Sequence, residues 1–96
     1  MDEDKANDLQ GYLMRRIPDV RVSNYYDFER GAQRFRIRHG RLAEHILMVD
    51  DAAAERYSRE ELQELVDKSI RHLRLTESPV EVCIEVNRTT VQKILR

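Results

Sequence analysis

Residues 34–40 read Arg34-Phe35-Arg36-Ile37-Arg38-His39-Gly40, and this stretch decides the fold. Cationic and apolar residues alternate with a period of two, so a strand here presents Phe35 and Ile37 to a core and the three arginines to the opposite face. A helix would scatter both sets around its circumference. Residues 34–39 are therefore predicted as a strand, with Gly40 closing a tight turn into another from Leu42 to about Val49. The Ile46-Leu47-Met48-Val49 run of that strand is apolar at every position, as in a strand covered on both sides.

Upstream, Val20, Val22, Asn24, Tyr26 and Phe28 alternate with Arg21, Ser23, Tyr25 and Asp27, predicting a strand over residues 20–28. Gly31 then breaks the chain. Before it, Ala6, Leu9, Leu13 and Ile17 recur at intervals of three and four, with acids at the start and Arg15 and Arg16 at the end, as the helix dipole favours. A helix over Asp2–Arg16 is expected, stopped by Pro18.

Downstream, the start of a second helix is written at several positions. Ser58 is a cap, Glu61 completes a capping box, and Tyr57 can staple onto Leu62. Leu62, Leu65, Val66, Ile70 and Leu73 then form one apolar stripe. Asp51-Ala52-Ala53-Ala54-Glu55 fits either a helical turn or a loop. Val80, Val82, Ile84 and Val86 alternate with Glu81, Cys83, Glu85 and Asn87, predicting a fourth strand. Thr89 or Thr90 then caps a short terminal helix with Val91, Ile94 and Leu95 inward. The expected architecture is a single α+β domain over residues 1–96: a two-layer sandwich of α-βββ-α-β-α order, with an antiparallel sheet and helices packed on one face. Val22, Phe35, Ile37, Ile46, Leu65 and Ile70 are expected to share one core.

The order helix, three strands, helix resembles the double-stranded RNA-binding domain, whose second helix begins with a basic cluster. Ser58-Arg59-Glu60-Glu61 is acidic at that place. With a fourth strand and closing helix, the order resembles the small acidic chaperones of bacterial type III secretion, which implies a dimer that holds a partner chain. Ser78 to Cys83, followed by Asn87 to Leu95, is similar to the second and third helices of a helix-turn-helix, with Thr90, Val91, Ile94 and Leu95 on the groove helix. The spacer there has no glycine, and the period-two alternation of Val80 to Val86 fits a strand better.

Composition narrows the function classes. Charged residues make up 36% of the chain, above the usual quarter or so, but 41% hydrophobic residues suffice for a core. One cysteine, Cys83, excludes an internal disulfide and suits a reducing compartment. The acidic Met1-Asp2-Glu3-Asp4 start is unlike a signal peptide, and no apolar run approaches the roughly 20 residues of a membrane helix, so a bacterial-type cytoplasmic protein with no membrane contact is expected. The net charge of −1 is segregated: residues 1–14 carry one base and four acids, 15–41 eight and three, 42–68 three and eight, 69–96 five and three. Those blocks either steer a partner or neutralise each other within the molecule or across a homodimer.

No catalytic constellation can be assembled from the sequence. His39, His45 and His72 lack metal-ligand spacing, the glycines form no phosphate-cradling loop, and Asp50-Asp51 is a helix start before it is a cation site. No catalytic residue, metal or cofactor is expected. The candidate binding residues are Arg34, Arg36 and Arg38 with Arg21 and Tyr25 on the matching face of the neighbouring strand. Same-face residues on a strand lie roughly 6.8 Å apart, near the spacing of successive phosphates in an extended nucleic acid, and Tyr25 is placed to stack on a base. Alternatively, these arginines pair with Asp27, Glu29 and Glu44 across strands on a solvated face. The expected function is a small non-enzymatic binding or regulatory protein acting on a protein partner, as an adaptor, chaperone-like protein or inhibitor. The alternative is a nucleic-acid-binding regulator that uses the arginine face.

Overall fold

The computed structural model describes residues 1–41, 44–74 and 78–94. Its elements run α1 (Glu3–Arg16), β1 (Arg21–Asp27), β2 (Ala32–Arg38), β3 (Glu44–Asp50), α2 (Asp51–Arg56), α3 (Arg59–Arg74), β4 (Val80–Glu85) and β5 (Arg88–Lys93). The class is α+β, with the five strands in one sheet of order β1-β2-β3-β4-β5 and the helices packed on it.

Each helix starts where its cap residue dictates. Asp2 accepts the Lys5 N–H at 2.8 Å, and Asp50 accepts the Ala53 N–H at 2.7 Å, so the Asp-Ala-rich stretch after β3 is a helix rather than a loop. At α3 the capping box forms in both directions. Ser58 Oγ accepts from Glu61 N–H at 3.1 Å, and Glu61 Oε1 accepts from Ser58 N–H at 3.0 Å. The Ser58 amide, bonded to the carboxylate, holds Glu61 below the usual carboxyl range. α1 ends at Arg16, and Ile17 is already extended ahead of Pro18.

The apolar faces of all three helices meet one face of the sheet. Ala6, Leu9 and Leu13 of α1, Ala53 and Ala54 of α2, and Leu62, Val66 and Leu73 of α3 cluster with Val22, Phe35, Ile37, Leu47, Val49, Val82 and Ile84, while Leu65 and Ile70 pack at the margin. Phe35, Ile37, Leu47 and Ile84 are wholly buried. Polar groups on this face are satisfied by one another. Gln33 donates to Asn24 at 2.8 Å, and Asn24 donates to Gln10 of α1. His45 is also wholly buried, and its Nδ1 accepts the Val80 N–H at 3.1 Å where β4 begins. Beside it, with ring centroids 5.2 Å apart, His39 Nε2 donates to the Leu73 carbonyl at the end of α3.

Three features depart from the expected architecture. The sheet is mixed rather than antiparallel: β3 and β4 are parallel, with Leu47 opposite Val82 and Val49 opposite Ile84. The helical segment between them returns the chain to the end at which β3 began, so β4 must run the same way. Next, residues 88–93 form a fifth strand and not a terminal helix, which also removes the helix-turn-helix arrangement. Asn87 takes the left-handed conformation, φ 62°, so that Val86-Asn87 closes a hairpin pairing Glu85 with Arg88. The β-branched Thr89-Thr90-Val91 then suits the strand. Finally, Ile46 does not join the main core but lies on the opposite sheet face with Ala32 and Met48. The start of the third strand at Leu42 and an inward Leu95 lie outside the described residues.

Candidate functional site

Register brings the expected binding residues together. In the antiparallel β1/β2 pair, Arg21 stands opposite Arg38, Ser23 opposite Arg36 and Tyr25 opposite Arg34. With Phe35 and Ile37 committed to the helical side, alternation turns Arg34, Arg36, Arg38, Arg21 and Tyr25 to the other face. Among the described residues, that face carries no helix: its apolar members Ala32, Ile46 and Met48 cluster only with Cys83 and Ile94.

Ile46 and Met48 are nevertheless 3% and 0% exposed. Their register neighbours are Arg36, Arg34, Glu81 and Cys83, and Cys83 and Ile94 pack against them as part of their cover. Arg30, in the β1–β2 turn, adds to it by reaching over β2 and β3 to Glu81 of β4, with contacts of 3.5 and 3.3 Å. Cys83 is half-buried in this layer, and burial pushes its thiol above the ordinary range, which leaves less of the reactive thiolate.

The arginines are unequally neutralised. Arg36 makes a two-pronged contact with Glu44, Nε to Oε1 at 2.8 Å and Nη2 to Oε2 at 3.0 Å, and this carboxylate raises the Arg36 guanidinium further. Arg34 Nη1 donates to Asp27 at 3.3 Å, while its Nε is buried with no partner among the described residues. Asp27 also accepts the Arg30 and Glu29 amides, both at 3.1 Å, and these bonds, Arg30's first, hold its carboxyl below the usual range. Among the described residues, Arg38 has only a 3.6 Å approach to the Glu44 oxygen that Arg36 already engages. Of the acids expected to pair across strands, Asp27 and Glu44 do so, and Glu29 offers Asp27 its backbone amide from the turn. Tyr25 is 47% exposed beside Arg34.

The remaining candidates resolve into structural roles. Asp50 caps α2, and Asp51 accepts the Tyr26 hydroxyl at 2.7 Å. Among the described residues, no group of three or more His, Cys, Asp or Glu side chains is placed to hold a metal ion, and no helix is long and apolar enough to cross a membrane. Two residues of the open face escaped the alternation argument, Arg30 and Arg41. Both sit in turns, where no period assigns a side chain to a face. Comparison with protein families, with characterised proteins and with solved structures returns no match to this chain.

Proposed function

We propose that the chain is a small, non-enzymatic cytoplasmic binding protein whose open sheet face, centred on Arg34, Arg36 and Tyr25, meets a protein partner in an adaptor, chaperone-like or inhibitory role. The observation that carries the proposal is the composition of that face. Its arginines are interleaved with Asp27, Glu44 and Glu81 over an apolar floor of Ala32, Ile46 and Met48. Charges of mixed sign beside an exposed tyrosine and exposed arginines suit a protein interface, where tyrosine and arginine are enriched among the residues that carry the energy. A nucleic-acid backbone calls for a run of uncompensated cations, and Arg34 and Arg36 are already engaged.

The test is affinity capture from the source cell with and without nuclease, repeated with Arg34→Ala, Arg36→Ala, Arg38→Ala and Tyr25→Ala. A captured protein that survives nuclease and is lost mainly on one or two of these substitutions supports the proposal. An oligonucleotide bound more tightly than about 1 μM at low salt, with binding abolished in the triple arginine variant, overturns it in favour of nucleic acid.

A further inference from the structure

One end of the open face differs from its centre. Arg21, Arg38 and Arg41, with Gly40, line an open cleft of about 400 Å³. Antiparallel register sets Arg21 directly against Arg38, a like-charge cross-strand pair that is unfavourable as it stands. The turn adds the third cation. Gly40 takes the left-handed conformation, φ 61°, which only a residue without a β-carbon adopts freely, and so brings Arg41 round to the same cleft. No carboxylate lines it among the described residues. Arg21 and Arg41 form no ion pair there, and Arg38 has only the distant share of Glu44 described above.

We infer that this cleft is a binding site for a compact phosphate-bearing small molecule, clamped by the guanidinium groups of Arg21, Arg38 and Arg41. Guanidinium forks match phosphate oxygens two at a time, and a dianion placed among three of them removes the repulsion that the free cleft carries. The cations are confined to one point. Further along β2, Arg36 and Arg34 are neutralised by Glu44 and Asp27, so a phosphate bound here has no neighbouring cation track to follow along the sheet. That confinement favours a small ligand over a polynucleotide. The inference is independent of the protein-partner proposal, which concerns the centre of the face.

Calorimetric titration with sodium pyrophosphate at about 50 mM salt tests it, because screening at higher salt weakens such contacts. Saturable one-to-one binding is expected, weakened about tenfold or more by Arg21→Ala or Arg41→Ala and unchanged by Arg59→Ala on α3, since a charge-assisted contact to phosphate is worth that much. Pyrophosphate is expected to raise the melting temperature of the unsubstituted protein and not that of the Arg21→Ala, Arg41→Ala double variant. Three results overturn the inference: no saturation by about 10 mM, a range far weaker than a built site gives; sodium acetate binding as tightly as pyrophosphate; or a single-stranded oligonucleotide binding more tightly than pyrophosphate and depending equally on Arg34 and Arg36.

Discussion

His45→Leu removes the bond at the start of β4 together with the ring contact to His39. His45 is wholly buried, and its Nδ1 accepts the Val80 N–H at 3.1 Å. Leucine fills similar space and accepts nothing, so the Val80 amide is left without its partner in a partly buried setting. An orphaned buried donor costs about 1–3 kcal/mol, and the gain from burying an apolar side chain in place of an imidazole offsets part of that. The expected loss is about 1–2 kcal/mol, or a melting temperature lower by roughly 5–15 °C in a chain of this size. His45→Asn provides the comparison, because an amide oxygen two bonds from Cβ stands near the place of Nδ1. It sacrifices ring volume and the edge contact with His39 but keeps an acceptor. Denaturant unfolding gives the energies, and amide exchange separates the causes: Val80 exchanges faster than its strand neighbours in His45→Leu and stays protected in His45→Asn. If Val80 protection is the same in both variants, the bond does not hold the strand start and the reasoning fails.

Acid sensitivity follows from carboxyls held below their ordinary range. Asp27 and Glu61 both gain backbone hydrogen bonds on folding, so their contribution is fully present above the unfolded value of about 4 and is lost as pH falls through the lower folded value. The urea midpoint is expected to fall below pH 4, and to fall less in Asp27→Asn; an identical acid profile in that variant refutes the role assigned to Asp27. Self-association is expected as a homodimer, but not through the apolar residues of β3, because Ile46 and Met48 are covered within one copy. Sedimentation velocity at micromolar concentration reads it directly, and a monomer throughout the accessible range refutes it.

What could be read beforehand was whatever a period writes into the chain. The alternation of Arg34 to Arg38 settled both the strand and the face of its arginines, and the short Gly31 turn placed Arg21 and Tyr25 beside them. Ser58 and Glu61 located α3 because a capping box is a local device that tertiary contacts need not complete. Ile46 was misplaced because a strand buried on both faces has no polar positions to mark its sides, so its four consecutive apolar residues give no orientation. The terminal strand was missed because Thr89 and Thr90 serve equally as helix caps and as strand residues. The left-handed Asn87 that decides between them is a property of the backbone, not of the pattern. Arg41 lay beyond reach for a similar reason, since Gly40 determines where it points.

The sequential strand order has a kinetic meaning. β1, β2 and β3 close on one another through short turns, and β4 closes on β5 through two residues, so most of the sheet forms from contacts that are near in the chain. Loop-closure entropy is concentrated at a single joint, where Leu47 meets Val82 with both α2 and α3 between them. The meander and the C-terminal hairpin each rest on contacts near in the chain, and joining β4 to β3 across α2 and α3 is the step expected to limit the rate of folding.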